Sequence, residues 1–169
     1  MERKIKYFPA LFLLFFMAGS VFANDVANLN NIFFGIGGEA NANTSEGAAI
    51  GGNVSFGIEF LKQFNAGLKV IFSHDTESIF TIEPLAFFRY YLPLGIPGFF
   101  AQLEMGASVF IEDDKGYPAF SVGAAAGWRF QITNIFYIEP YARAGYPFVW
   151  GAGLTAGMIL PFKAGKGGQ

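Results

Sequence analysis

The chain has 169 residues, of which 53% are hydrophobic and only 14% are charged, and its formal net charge is −2. Roughly 25% of the residues in an average soluble domain are charged, so this composition is unusually apolar. The negative net charge argues against a nucleic-acid partner. Because cysteine is absent, disulfide bonds, thiolate metal sites and attachment of a lipid to cysteine are all excluded.

The N-terminus has the pattern of an export signal. Arg3, Lys4 and Lys6 make a basic start, an apolar stretch extends to Phe16, and residues 21–23 supply the small residues that signal peptidase reads. The apolar run is shorter than the roughly 20 residues that a spanning helix needs. We therefore predict a cleaved signal peptide at residues 1–23; the alternative is an uncleaved N-terminal anchor.

The remainder of the chain is apolar but lacks a long apolar run. After residue 23 no stretch of about 18 residues is free of both charges and turn formers, so no spanning helix is predicted. A chain that spans a membrane without helices must close its strands into a barrel, because lipid cannot satisfy open backbone groups. We predict a barrel domain at residues 24–162, followed by a short tail at 163–169.

Apolar and polar residues alternate in segments of about ten. Eight such segments satisfy the length that a tilted spanning strand requires, roughly 9–11 residues. The predicted strands are residues 31–41, 48–60, 65–74, 79–91, 99–111, 119–130, 135–146 and 150–162. The predicted fold is an all-β, eight-stranded, antiparallel, up-and-down transmembrane β-barrel, in which the even strand number places both termini on the periplasmic side.

Each predicted strand has one apolar face and one face of glycine, hydroxyl and charged residues. In the third strand, for example, Leu68 and Val70 alternate with Lys69. Small residues on the polar face suit the narrow interior of an eight-stranded barrel. The alternative is a soluble, lipocalin-like barrel with its apolar face inside, but its outer face should carry many charges. The observed pattern favours lipid outside.

The sequence also makes predictions for the connections, the prolines and the strand ends. We predict a loop at residues 112–118, and bulges at Pro84 and Pro140, since proline removes a ladder donor. Aromatic residues near the strand ends are expected to form the girdles at the membrane interfaces. These residues are Tyr90, Tyr91, Trp128, Phe130, Tyr146 and Trp150.

The charges on the polar faces predict an interior network. Five acids oppose four bases, nearly in balance, and buried charges are costly unless they are paired. The predicted network comprises Glu39, Glu59, Lys69, Glu83, Arg89, Glu104, Arg129, Glu139 and Arg143. Within it we expect a Lys69–Glu83 ion pair, and we expect Arg143 to pair with Glu104 or Glu139. Such pairs would plug the barrel.

No enzymatic chemistry is predicted. The single histidine, His74, follows Ser73, but adjacent strand residues point to opposite faces and cannot share a pocket. One histidine and no cysteine leave no transition-metal cluster, and no cofactor site or catalytic residue is predicted.

Near the C-terminus, Thr155, Gly157, Leu160 and Phe162 form a pattern that resembles the β-signal of outer-membrane proteins. With the export signal and the eight strands, the chain resembles the small barrels of the outer-membrane protein A, X and W group. The resemblance implies a cell outer-membrane location in a Gram-negative-type bacterium, with outer-membrane lipid and the barrel-assembly machinery as partners. A spirochaete or treponeme member is one expectation, and no residue decides the lineage.

The expected function is a structural or surface role for a charge-plugged barrel. The alternative is a narrow, porin-like channel, or a conduit for small or hydrophobic solutes, as the resemblance to the W type implies. Neither an extracellular partner nor a solute can be named from the sequence.

Overall fold

A computed structural model describes residues 29–43, 47–61, 63–76, 79–95, 97–113 and 115–161. The predicted signal peptide and tail, together with Phe162, lie outside these ranges. Within them, no helix is long and apolar enough to cross a membrane.

The described chain forms eight long strands and one short one, and their alternation of side chains follows the predicted parity. The strands are β1 (Leu29–Asn43), β2 (Gly47–Phe60), β3 (Phe64–Asp75), β4 (Phe80–Tyr91), β5 (Phe99–Glu112), β6 (Lys115–Trp128), β7 (Phe130–Gln131), β8 (Phe136–Tyr146) and β9 (Trp150–Pro161). Strand β7 continues the direction of β6 after a break at Arg129, and both pair with β8.

The strands close into an antiparallel barrel. Neighbours along the chain pair in order from β1 to β6, β1 also pairs with β9, β9 with β8, and β8 with β6. One inward-facing row links paired residues all the way round: Asn31, Glu59, Asn65, Arg89, Gln102, Ala125, Arg143, Gly151 and Asn41. The row returns to β1 ten residues further on, a stagger that tilts the strands of a closed barrel.

The barrel has two distinguishable ends. β1 begins and β9 ends at one end, which also holds the turns at 61–63, 92–98 and 132–135 and is called the terminus end below. The connections from β1 to β2, β3 to β4, β5 to β6 and β8 to β9 lie at the other end, called the hairpin end.

The two prolines interrupt ladders without changing their register. The β4–β5 ladder skips the positions of Glu83 and Pro84 and then resumes with the same pairing offset. Pro140 of β8 lies opposite the break between β6 and β7, and the offset is again equal on both sides. The predicted bulges are therefore wrong, because each strand loses a donor without gaining an extra residue.

The predicted loop at residues 112–118 is also wrong. Glu112 pairs with Lys115, so β5 and β6 continue to a two-residue connection at which Asp113 has a φ of 47°. Asparagine and aspartate tolerate this left-handed conformation better than most residues. Strand β6 pairs with β8 only from Val122 onwards. Among the described residues, its first part, from Lys115 to Ser121, therefore pairs with β5 on one side and with no strand on the other.

The outward face is apolar and the inward face polar. Ile50, Leu103 and Ile36 are 73%, 65% and 60% exposed, whereas Glu83, Glu104 and other inward polar residues are almost fully buried. This distribution is the reverse of a soluble barrel with an apolar interior. Of the predicted girdle residues, Tyr91 is misplaced, because it follows the inward parity of β4 and bonds to Arg89 inside.

Candidate functional site

The predicted charged residues all face the lumen, eight of them from strands and Arg129 from the break between β6 and β7. Eight of them are buried, and Glu59, the exception, has a side chain that is 15% exposed. Alternation within each strand places them inside, while the register between strands decides which of them meet. They form two clusters along the barrel axis.

The terminus-end cluster consists of Glu59, Arg89, Arg129 and Glu139. Arg129 lies between the carboxylates of Glu59 and Glu139 and donates hydrogen bonds to both. Arg89 Nη1 donates to Glu139 Oε1 at 2.6 Å. Two acids face two bases, so this cluster is neutral.

Aromatic rings pack around the terminus-end cluster. The Arg89 guanidinium lies 3.8 Å from the ring centroid of Phe100, and that of Arg129 lies 4.2 Å from the centroid of Tyr137. Phe33 and Phe87 contact each other beside them, with centroids 6.1 Å apart. These contacts give the cations attractive faces and fill the lumen at this level.

The hairpin-end cluster consists of Glu39, Lys69, Glu83, Glu104 and Arg143, and extends from mid-barrel towards the hairpin end. Arg143 is its centre: Nη1 lies 2.8 Å from Glu39 Oε1, and Nη2 lies 2.9 Å from Glu83 Oε1. Its Nε lies 3.2 Å from Glu104 Oε2. Three carboxylates share two cations here, so this cluster carries one excess negative charge.

Lys69 does not pair with Glu83 as predicted. Its Nζ lies 2.9 Å from Glu39 Oε2 and 3.7 Å from Glu104 Oε1. In the β3–β4 ladder Lys69 faces Leu85, so Glu83 is displaced along the strand, and Arg143 takes both of its oxygens. The expected Arg143–Glu104 contact is present, and it is one of the two options that the sequence left open.

Tyr141 supports the hairpin-end cluster. Its hydroxyl donates to Glu39 Oε2 and accepts from Lys69 Nζ at 3.1 Å and from Asn53 Nδ2 at 3.0 Å. It has the inward parity of Glu139 and Arg143 on β8, so alternation alone puts it inside, whereas its hydrogen bonds depend on the packing of the lumen.

Gln102 joins the two clusters. Its Oε1 accepts from Arg89 Nε at 2.8 Å, and its Nε2 donates to Glu104 Oε1 at 2.6 Å. A chain of polar contacts therefore extends from Glu59 through Arg129, Glu139, Arg89, Gln102, Glu104 and Arg143 to Glu83.

Inward aromatic rings face glycines across the strands. Tyr141 is paired with Gly153 and Tyr137 with Gly157, and a side chain on either glycine would collide with the ring opposite. The same arrangement recurs for Phe33, Phe87 and Phe100, which face Gly57, Gly67 and Gly127. The glycines of the polar face thus provide the space that the inward rings occupy. The alternation of the strands is consistent with this, because each of these rings has the parity of the inward face.

Several buried polar atoms have no hydrogen-bond partner among the described residues. They are Asn41 Nδ2 and Oδ1, Glu104 Oε2, Ser108 Oγ and Arg129 Nη2. All but the last belong to the region from the hairpin-end cluster towards the hairpins. Cavities of about 20 Å³ lie among the described residues, including one between the clusters and one lined by Thr81, Phe110 and Phe148. Each can hold about one water molecule.

The other predicted residues occupy separate places. Ser73 is buried in the lumen and His74 is exposed outside, so they form no shared site. Of the predicted β-signal, Thr155 and Gly157 point inward, Leu160 points outward, and Phe162 lies outside the described residues. No group of three potential metal ligands occurs within the described ranges.

The sequence matches no protein-family model, and no curated protein matches it. Among solved structures, Neisserial surface protein A has a TM-score of 0.56 and 14% identity, over 78% of this chain and 97% of its own. The N-terminal β-barrel domain of Pseudomonas aeruginosa OprF has a TM-score of 0.54 and 16% identity, over 79% and 99%. The Yersinia pestis outer membrane protein Ail, in a phospholipid bilayer nanodisc, has values of 0.52 and 12%, over 78% and 99%. These similarities show a shared small-barrel fold.

Proposed function

We propose that this chain is an integral protein of the cell outer membrane with a structural or surface role, and that its lumen is sealed. The observation that carries the proposal is the continuous network of paired, buried charges across the barrel. An apolar, exposed outer face supports a lipid environment, and so do the outer-membrane proteins among the similar structures.

The orientation forms part of the proposal. With an even number of spanning strands, both termini face the periplasm and the hairpin end faces the cell exterior. The native chain has no cysteine, so single-cysteine variants can test this. A membrane-impermeant thiol reagent should label Asp113→Cys on intact cells and leave Gln63→Cys unlabelled. The reverse pattern would contradict the orientation.

Conductance tests the seal. We expect refolded wild-type protein in planar bilayers to show no steady conductance, because ion pairs and rings occupy the axis. Steady, ohmic conductance in wild-type protein would overturn the sealed-lumen proposal. It would instead favour the narrow channel, for which the small cavities between the clusters and beside Thr81 are the supporting observation.

Assembly and other partners follow from the same proposal. Outer-membrane lipid contacts the apolar outer face, and the barrel-assembly machinery reads Thr155, Gly157, Leu160 and Phe162 during insertion. We propose no catalytic activity and no cofactor. A spirochaete or treponeme origin stays a prediction from the sequence.

A further inference from the structure

The three turns described at the terminus end carry large, exposed apolar side chains. Leu61, Leu94 and Ile132, one from each turn, are 59%, 60% and 62% exposed. In the sequence of these turns Lys62 is the one charged residue, and no acid occurs. A single exposed leucine is common on a protein surface, but the same feature in every turn of one end is not. These turns therefore form an apolar surface at the terminus end.

Leu61 holds its apolar side chain at a cost to the backbone. Its φ is 51°, in the left-handed region that asparagine, aspartate and glycine adopt much more readily than leucine. At the hairpin end Asp113 has the corresponding conformation, with a φ of 47°. The two ends of the barrel thus use the same backbone conformation with side chains of opposite polarity.

Backbone groups of these turns have hydrogen-bond partners within the protein. The Gln63 N–H donates to the Leu61 carbonyl at 2.7 Å, and the Gln63 carbonyl accepts from the Tyr91 N–H at 2.8 Å. The Pro97 carbonyl accepts from the indole nitrogen of Trp128 at 3.0 Å. Water would satisfy exposed turn groups without such bonds, whereas a lipid environment requires them.

The rings beside these turns are suited to hydrocarbon. Most of the outward rings near the terminus end belong to phenylalanine, namely Phe60, Phe64, Phe88, Phe99 and Phe130. Phenylalanine lacks the polar group with which tyrosine and tryptophan favour a membrane interface, and Trp128 uses its N–H within the protein. In the sequence Leu61 directly follows Phe60, and Ile132 follows closely after Phe130. The apolar outer wall therefore continues into the turns.

We infer, on the basis of the proposed function, that these turns are immersed in the headgroup region of the periplasmic leaflet, with phospholipid in contact with Leu61, Leu94 and Ile132. Apolar side chains at a membrane surface enter the boundary between headgroups and acyl chains by roughly 5–10 Å. Immersion gives the three exposed side chains an apolar partner, and it explains why a leucine occupies a left-handed position.

The charges in the sequence agree with this partner. Lys62 adjoins Leu61, and Lys163 and Lys166 follow β9, whose last residue lies at the terminus end. Lysine is attracted to the phosphates of lipid headgroups. At the hairpin end, the connection between β5 and β6 is instead Asp113-Asp114. The terminus end is thus suited to a lipid surface and the hairpin end to water.

Fluorophores on single cysteines test the immersion. An environment-sensitive fluorophore would be attached to Leu61→Cys, Leu94→Cys and Ile132→Cys, with the barrel refolded in phosphatidylcholine vesicles and iodide on both sides of the membrane. Asp113→Cys at the hairpin end and Leu103→Cys on the outer wall are the matched controls. At the three turns, quenching by iodide should be about fivefold weaker than at Asp113, because the interface shields them from an aqueous quencher. Lipids that carry a nitroxide near the headgroup should quench them strongly.

The controls separate failure of the immersion from failure of the proposed function. Iodide quenching at the turns equal to that at Asp113→Cys would overturn the inference, and would leave the turns to water or to a periplasmic protein. If nitroxide lipids still quench the fluorophore at Leu103→Cys, the membrane barrel stands and only the immersion fails. If iodide quenches Leu103→Cys as well, the lipid-facing wall is wrong, and the proposed function fails too.

A substitution at Leu61 gives opposite results in lipid and in water. Leu61→Asn relieves the left-handed backbone but removes the apolar side chain. Urea unfolding in the same vesicles should show an unfolding equilibrium constant raised by about threefold, because loss of the immersed side chain outweighs the relief. Asp113→Asn, a polar exchange at a similar φ, is the matched control and should change the constant by less than about twofold. A Leu61→Asn barrel more stable than wild-type would overturn the immersion.

Discussion

Both halves of the lumen contain buried glutamates and arginines, but the two halves differ in their balance of charge and in the groups that surround the charges. At the terminus end, two arginines and two glutamates form a neutral cluster between aromatic rings, and Arg89 and Arg129 each contact a ring face. Towards the hairpin end, one arginine serves three glutamates, Lys69 lies 4.2 Å from the ring centroid of Tyr141, and buried hydroxyl and amide groups are more numerous.

In this narrow barrel, aromatic rings fill the lumen at the terminus end, whereas the lumen towards the hairpin end is more polar. Rings exclude water and lower the local dielectric, so the charges between them must be balanced. In the hairpin-end half, the buried Asn41 and Ser108 side chains have no hydrogen-bond partner among the described residues, and three carboxylates share two cations. The following experiments, ordered by the size of the expected effect, test whether the halves differ in this way.

Removal of the central arginine should have the largest effect. Arg143→Met leaves three carboxylates with Lys69 alone, so the free energy of unfolding should fall by about 3–5 kcal/mol. Arg129→Met is the matched variant: Glu139 keeps Arg89, and the side chain of Glu59 is partly exposed, so the loss should be about 2 kcal/mol. Urea unfolding followed by the fluorescence of Trp128 and Trp150 measures both. Equal losses would contradict the proposed difference between the halves.

The two inward tyrosines of β8 provide a finer comparison. Tyr141→Phe removes hydrogen bonds to Glu39, Lys69 and Asn53 and should lower the free energy of unfolding by about 2–3 kcal/mol. Tyr137→Phe removes one bond to the carbonyl of Phe34 and should cost about 1 kcal/mol. The same unfolding assay applies. A larger loss for Tyr137→Phe would show that the terminus-end half is the more dependent on hydrogen bonds.

Gln102 tests whether the halves are coupled. Gln102→Met deletes the bonds to Arg89 and Glu104 and should lower the free energy of unfolding by about 1–2 kcal/mol. A double-mutant cycle between Arg129→Met and Arg143→Met should show a coupling of about 0.5 kcal/mol or more in the wild-type background. The coupling should be smaller in the Gln102→Met background. A coupling energy unchanged by Gln102→Met would show that residues other than Gln102 couple the two clusters.

The smallest expected effect concerns the exposed edge at the hairpin end. Pro118 lies in an unbroken ladder with β5, so its missing N–H belongs to the side of β6 without a partner strand. Proline at such an edge discourages pairing with another chain. Pro118→Thr should change stability by less than about 0.5 kcal/mol and increase self-association. Sedimentation in detergent measures the latter, and a monomeric variant would contradict the protective role.

Strand parity accounts for most of what could be predicted. Alternation placed Glu39, Lys69 and Arg143 inside and Leu103 outside, because successive residues of a strand must point to opposite faces. Parity alone does not predict which of the inward charges form ion pairs with each other. The sequence predicts a Lys69–Glu83 pair because the two residues lie on neighbouring strands, but the register around the barrel brings Lys69 to Glu39 instead.

The sequence by itself determined the fold class, the eight long strands and the identity of the inward charges, since these depend on a period of two. Only the tertiary structure decided that Arg143 serves three carboxylates, that the prolines interrupt ladders without bulges, and that glycines face rings. Each of these depends on the register around a closed barrel. Closure is a property of all eight strands together, and no single segment of the sequence encodes it.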